Sequence, residues 1–245
     1  LGFKAGTQQI EDKLKELYPG VRTLRMDADT TRTKDSYEKI LSAFSNGEAD
    51  VLIGTQMIVK GHDFPKVTLV GILAADLSLN ASDYRAGERT FQLLTQAVGR
   101  AGRGALPGEA VIQTYQPDHY AITCAAAQDY KSFYEEEILY RELSGYPPAA
   151  HMLAVQIYGK EEENVKQLAR RLTDVVKSNM DFLQILGPTP ANISKINDIY
   201  RYVFYAKHAE YDTLVAVKDC VEETLRQWQP RQLSIQFDFD PVNVL

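Results

Sequence analysis

The chain has 245 residues, 44% of them hydrophobic, and a net charge of −6, enough for one large domain or two ordinary ones with buried cores. Acidic and basic residues are nearly balanced along its length, which excludes a broadly basic nucleic-acid coat and confines any DNA contact to a groove and to amides and hydroxyls. The longest apolar run, residues 67–75, falls far short of the roughly 20 residues of a membrane span, so no membrane partner is expected. Cys124 and Cys220 stand apart without metal-ligand spacing; reduced thiols, no metal and a cytoplasmic setting are expected. The first residue is Leu1 rather than Met and no signal peptide is visible, so a piece of a longer protein is expected.

In chain order, Thr7 is placed to cap a helix with Ile10, Leu14 and Leu17 at i, i+4 and i+7, closed by Pro19-Gly20. Residues 21–26 alternate as a strand. The polar loop Asp27-Ala28-Asp29-Thr30-Thr31 follows at its carboxyl end, where ligands gather in open α/β sheets. Tyr37, Ile40, Leu41 and Phe44 mark the apolar face of a second helix, which Asn46-Gly47 stops. Residues 50–54 and 67–73 read as short apolar strands of a buried parallel sheet. A polar stretch ending in Asp83-Tyr84-Arg85 leads into a long helix, and residues 110–115 supply another strand. This alternation predicts an α/β domain over residues 1–118, built on a doubly wound parallel sheet.

Residues 119–148 read as a helical, acidic linker with a solvated Glu135-Glu136-Glu137 face and with Phe133 and Leu139 to dock it. Gly145-Tyr146-Pro147-Pro148 marks a domain boundary. Beyond it come a strand at 152–158, a helix at 163–177, strands at 184–187 and 200–207, a helix at 211–228 and a strand at 234–239. The order βαββαβ predicts an α+β, ferredoxin-like domain over 149–245.

The most informative stretch is Gln96-Ala97-Val98-Gly99-Arg100-Ala101-Gly102-Arg103. On a continuing helix, Gln96, Arg100 and Arg103 share one face, while Gly99 and Gly102 let a backbone or ligand come close. A carboxamide and two planar guanidiniums suit a polyphosphate. The plain alternative is an amphipathic helix with two solvated arginines. Upstream stand Gly54-Thr55-Gln56-Met57 and Lys60-Gly61-His62-Asp63-Phe64-Pro65. In order and separation, these two stretches resemble the last motifs of the second RecA-like lobe of superfamily-two helicases. Residues 6–11, 26–31, 47–50, 84–89 and 145–148 extend the likeness. Over essentially the whole chain the sequence resembles the C-terminal half of the primosomal protein N′ family of replication-restart helicases.

That resemblance implies a RecA-like second lobe and a C-terminal domain of an ATP-dependent 3′→5′ DNA helicase. Such an enzyme recognises stalled or repaired forks and restarts replication by primosome assembly. By the same resemblance, Arg103 is the arginine finger, Arg100 its partner, and Gln96 positions the water or γ-phosphate. Gly61, Asp63, Gly99 and Gly102 lie about the ATP, and Thr7, Thr55, Gln56, Lys60 and His62 along the tracked strand. Local alternatives stay open: Thr7 as a helix cap, Asp63 as a turn former, His62 as a structural hydrogen-bonder. Arg85, Glu88 and Arg89 also match the family, with ion pairing as the simpler role. Lys195, Arg201 and Lys207, among Tyr200, Tyr202 and Tyr205, are candidates to face branched DNA, half of the aromatics being core.

The family's P-loop, acidic Mg²⁺ box and zinc-binding cysteine module have no counterpart in these 245 residues. ATP and Mg²⁺ are therefore expected to be held mainly by an absent first lobe, zinc by an absent module, and the fragment alone is expected to be inactive as an ATPase. Implied partners are forked or single-stranded DNA, the N-terminal helicase half, primosome and helicase-loading proteins, and single-stranded-DNA-binding protein. A monomer in the bacterial cytoplasm, associated with the nucleoid, is expected. The competing readings are another superfamily-two DNA translocase and a non-catalytic DNA- or protein-binding module.

Overall fold

The computed structural model describes residues 6–59, 64–81, 83–102, 106–229 and 232–242. They form two compact units: Leu1–Ala81 with Arg85–Phe133, and Ser82–Tyr84 with Tyr134–Leu245.

In the first unit, α1 (Thr7–Leu17) precedes β1 (Thr23–Met26), and α2 (Lys34–Ser45) crosses over to β2 (Val51–Gly54). The two strands pair in parallel, Met26 opposite Gly54. Gly6, not Thr7, caps α1; Thr7 is the first helical residue and makes no cap bond. α2 begins under a Thr33 side-chain cap and ends at Asn46, with Gly47 at φ +80°, a conformation that favours glycine at a helix end. A short 3₁₀ turn, Gln56–Val59, follows β2.

β3 (Leu69–Ile72) leads through α3 (Asp76–Leu79) and α4 (Ala86–Val98) to β4 (Glu109–Ile112), again a parallel pair. The α/β class and the parallel pairing are as expected from the sequence. Among the described residues, however, the strands form two separate pairs rather than one continuous doubly wound sheet.

α5 (Tyr120–Ala126) and the start of α6 (Tyr130–Ser144) complete the core of this unit. Phe91 and Leu94 of α4 pack with Ala121, Ile122 and Ala125 of α5 and with Phe133. The Phe91 and Phe133 rings stack at 4.0 Å. The stretch expected as a linker is thus divided, its first half being core of the first unit. Within α6 the acidic face also differs from expectation. Glu137 is only 6% exposed, because the equally buried Arg141 one turn on reaches its carboxylate at 2.6 Å.

The second unit runs β5 (His151–Gly159), α7 (Glu162–Asn179), β6 (Gln184–Ile196), β7 (Ile199–His208), α8 (Tyr211–Trp228) and β8 (Leu233–Phe239). The strand order β6-β7-β5-β8, antiparallel throughout, is the ferredoxin-like arrangement. Leu153, Val155 and Ile157 of β5 and Tyr202, Phe204 and Ala206 of β7 point to one face. There they pack against Val165, Leu168, Leu172 and Val176 of α7 and Leu214, Val217 and Val221 of α8. β6 runs well beyond the expected residues 184–187, through Pro188 and Pro190. It is an edge strand, where proline is tolerated: Pro188 falls in the register shift between Leu186 and Thr189, and Pro190, opposite Tyr202, is the last paired residue before the second shift. Asn197 and Asp198, both at positive φ, turn the hairpin into β7.

The opposite sheet face is also covered at one end, where Met152, Ala154, Val203 and Tyr205 are buried. Lys207 points there too and is only 4% exposed, its ammonium donating to the Ser144 carbonyl at 2.7 Å. Of the three candidate cations of this unit, Lys207 is thus withdrawn from the surface; alternation along β7 brings it under the end of α6. Among the described residues no helix is long and apolar enough to cross a membrane.

Candidate functional site

The carboxyl ends of β1 and β2 lie side by side because Met26 is paired with Gly54. At the first end the chain folds around the Asp27 carboxylate, which is 8% exposed. It accepts the Thr7 hydroxyl at 2.5 Å and the Asp29 and Thr30 amides at 3.0 Å each. Arg25 Nε lies 2.9 Å away, and the Thr31 hydroxyl donates to the Asp27 carbonyl. The Thr7 hydroxyl, with the Thr30 amide and the Arg25 charge, outweighs burial and holds the Asp27 carboxyl below the ordinary range. This cluster pins the start of α1 over the end of β1. Thr7, a candidate phosphate contact, thus gives its hydroxyl to Asp27 in this structure.

At the second end, a Cβ on Gly54 would come within 2.5 Å of the Met26 carbonyl, so only glycine lets the strand leave the sheet here. Thr55 and Gln56 follow directly and are exposed, with the Thr55 carbonyl accepting the Ile58 amide at 3.2 Å. The structure thus brings Thr7, Thr55 and Gln56 to the carboxyl end of one strand pair, where nucleotide- and strand-binding loops of parallel sheets lie. Lys60, Gly61, His62 and Asp63 lie outside the described residues, as does Arg103.

The glutamine–arginine motif sits at the end of α4 rather than along it. The helix stops at Val98 with Gly99 as its cap, and Arg100 and Ala101 continue as turns onto the carbonyls of Ala97 and Val98. Exposed Gln96 belongs to the last helical turn and half-buried Arg100 to the turn beyond. The expected shared helical face is therefore broken. Its cause is local: Gly102 takes φ +72°, its amide donates to the Val67 carbonyl at 3.1 Å, and a Cβ there would lie 2.7 Å from the Gly108 amide nitrogen. The close approach expected at Gly102 is thus made by the backbone that enters β4. Arg85 and Glu88 form an ion pair at 2.9 Å in the first turn of α4.

Asp76 was not singled out from the sequence. It opens α3, four residues after the end of β3, and is buried. Burial raises its carboxyl; the Thr114 hydroxyl at 2.7 Å and the Tyr115 amide at 2.9 Å outweigh that and leave it below its ordinary value. The carboxylate ties the carboxyl ends of β3 and β4 together. A lone carboxylate one turn after an apolar strand was the available signal. Among the described residues no group of three or more His, Cys, Asp or Glu side chains is placed to hold a metal ion.

Two family models match the chain in succession: the helicase conserved C-terminal domain over residues 1–105 and the primosomal protein N C-terminal domain over residues 142–242. The replication restart protein PriA of Bacillus subtilis is 42% identical over 241 residues, 98% of this chain and 30% of the relative. The chain belongs to the PriA family. The PriA of Chlamydia pneumoniae is 45% identical over 206 residues, covering 84% of this chain and 28% of that protein. That of Synechocystis is 37% identical over 243 residues, covering 99% and 29%. The chain therefore spans about 30% of the length of the PriA relatives it matches. The helicase match contains Thr7, Thr55, Gln56, Gln96, Gly99, Arg100 and Gly102, and the primosomal match contains the ferredoxin-like unit.

Proposed function

We propose that this chain is the second motor lobe and C-terminal domain of an ATP-dependent 3′→5′ DNA helicase that restarts replication at stalled or repaired forks. The observation that carries the reading is the end of α4, in a chain whose relatives are replication restart proteins. There a carboxamide and a guanidinium emerge at a glycine-built turn whose backbone is locked to Val67 and Gly108. Donor groups on a fixed turn fit a polyphosphate, since they meet charge without reorganising.

When bound, ATP supplies the phosphoryl group whose transfer spreads negative charge over its equatorial oxygens. Arg103 serves as the finger on that charge, Arg100 braces it, and Gln96 orients the attacking water. Gly99 and Gly102 shape the turn, and Gly61 and Asp63 complete the nucleotide side. Thr7, Thr55, Gln56, Lys60 and His62 follow the strand. Mg²⁺ and most of the ATP contacts belong to a first lobe outside this chain, and zinc to a separate module. Forked and single-stranded DNA, primosome and helicase-loading proteins, and single-stranded-DNA-binding protein are the partners, in the bacterial cytoplasm.

In the full-length protein, Arg103→Ala is expected to lower DNA-stimulated ATP turnover by about 10³–10⁵-fold, the usual worth of such a finger. Fork binding should be retained. The isolated 245-residue chain is expected to show no turnover. Unchanged turnover in Arg103→Ala overturns the reading in favour of a binding module, and clear DNA-stimulated hydrolysis by the isolated chain overturns the placing of most ATP contacts on a first lobe outside it.

A further inference from the structure

Both long helices of the second unit, α7 and α8, pack against the sheet face that carries Leu153, Val155 and Ile157. On the other face, one end is the buried cluster of Met152, Ala154, Val203 and Tyr205. Towards the opposite end, the register sets Arg201 of β7 and Ser234 of β8 on either side of Tyr158 of β5. One row back, Val203 and Gln236 flank Gln156. Ser234 and Gln236 are exposed, and Tyr158 and Arg201 are half-buried. Because β5 and β7 are the two central strands, Gln156, Tyr158 and Arg201 stand in mid-sheet.

Gln156 is an unusual residue for this place, a carboxamide only 4% exposed in a largely apolar strand. The Tyr158 hydroxyl donates to its Oε1 and, at 3.3 Å, to Oε1 of Gln236. One phenol thus holds both carboxamides by their oxygens. Among the described residues, neither amide nitrogen has a hydrogen-bond partner. A buried donor left in this way costs free energy that an incoming acceptor recovers.

Arg201 is the second unusual group. Among the described residues it has no carboxylate partner, although the chain has 33 Asp and Glu. Its guanidinium lies over the Tyr158 ring at 5.5 Å, near the limit of about 6 Å at which a cation and a ring attract. A cation held so loosely passes readily to a phosphate, which its planar fork grips at two oxygens. Asp238, on the same face, lies opposite Ala154, towards the covered end.

We propose that this end of the sheet face is a binding site for single-stranded nucleic acid: a base stacks on the Tyr158 ring, Gln156 and Gln236 donate to its edge, and Arg201 moves from the ring to the adjoining phosphate. The four-stranded sheets of RNA-recognition motifs take up unpaired bases in the same manner, on aromatic side chains of the sheet. An extended peptide would instead pair with backbone groups along a sheet edge, whereas the stacking ring and the guanidinium stand on the two central strands. The site is additional to the strand contacts proposed for the first unit. It stands without the motor reading, because it uses neither ATP nor any residue of that unit.

The test titrates the 245-residue chain with fluorescent oligothymidylate, and with oligouridylate beside it to tell a deoxyribose strand from a ribose one. Tyr158→Leu is expected to weaken binding of the preferred strand about 5- to 100-fold, the usual worth of one stacked base. That loss should be the same at every salt concentration, since stacking releases no counterions. Arg201→Gln should instead flatten the slope of log K against log salt by about 0.7, the share of one phosphate on a single strand. Irradiation of a strand carrying 5-iodouracil should join it to the wild-type peptide that contains Tyr158. A folded Tyr158→Leu chain with wild-type affinity overturns the proposal, and so do adducts confined to other peptides. Failure of both strands to bind, the result for a face that takes protein, overturns it as well. If Tyr158→Leu does not fold by circular dichroism, the adduct on the wild-type chain decides between the same two outcomes. Turnover of Arg103→Ala in the full-length protein tests the helicase reading separately, so either claim can fail alone.

Discussion

Asp27 illustrates how a single side chain builds the mouth of the first unit. Its carboxylate collects a hydroxyl from α1, two consecutive amides of the loop after β1 and a guanidinium of β1 within 3.0 Å. Removing it leaves the Asp29 and Thr30 amides without their acceptor. Asp27→Ala is expected to destabilise the first unit by about 1.5–3 kcal/mol, the usual net worth of hydrogen bonding to a charged group. The pH dependence follows from the direction of the shift. The folded-state carboxyl titrates below its unfolded value, so its contribution is complete above the unfolded value near pH 4 and is lost as pH falls through the folded one. Urea unfolding from pH 6 downward should show wild type losing stability more steeply below about pH 4 than Asp27→Ala. Equal slopes would remove Asp27 from the account. Asp76 plays the same part at the ends of β3 and β4, with Thr114 and Tyr115 as its dependants.

At the level of elements, α5 and the first turn of α6 decide where the first unit ends. Ala121 and Ala125 are fully buried against α4, and Phe133 stacks on Phe91. A version of the chain ending at Asp118 should therefore fail to give a cooperative melt, whereas one ending at Ser144 should melt as a unit. Phe133→Ala should cost the longer version about 3–5 kcal/mol, as phenylalanine deletions from cores do. A folded, cooperative 1–118 species would return α5 to the status of a linker.

Most of the elements were legible in the sequence, because their signals are local. The apolar period of α8 sets its bounds at Tyr211–Trp228, as expected, and Asn46-Gly47 stops α2. What was not legible depends on partners distant in the chain. The Phe91–Phe133 stack joins residues with no shared periodicity. Glu137 and Arg141 are an ordinary i, i+4 pair until the end of α6 is buried around them. The prolines of β6 argue against a strand unless it is known to lie at an edge. For the arginine motif the signal was present but outweighed. Gly99 and Gly102 are ordinary helix-ending residues, and reading the i, i+4, i+7 spacing through them carried the helix past its end at Val98.

Over the whole molecule, charge limits how DNA can be held. The net charge is −6. Among the candidate strand contacts of the first unit, Thr7, Thr55, Gln56, Lys60 and His62, only Lys60 is a fixed cation. Lys207 is withdrawn from the C-terminal set by burial, leaving Lys195, which pairs with Asp198 at 2.9 Å, and Arg201 beside Tyr158. Each phosphate neutralised by such a cation contributes about −0.7 to the slope of log K against log salt for single strands. Three cations at most give this chain a slope of about −2, much flatter than a basic nucleic-acid binder shows. Lys195→Ala with Arg201→Ala should bring it to about −0.7, with affinity at high salt little changed, because amide and hydroxyl contacts do not release counterions. Titration of fluorescent oligothymidylate between 50 and 300 mM salt, values chosen to span the range where counterion release is measurable, reads this directly. A slope near −5 would mean that DNA lies across cations other than these three. In that case the strand path would have to be redrawn away from the carboxyl ends of β1 and β2.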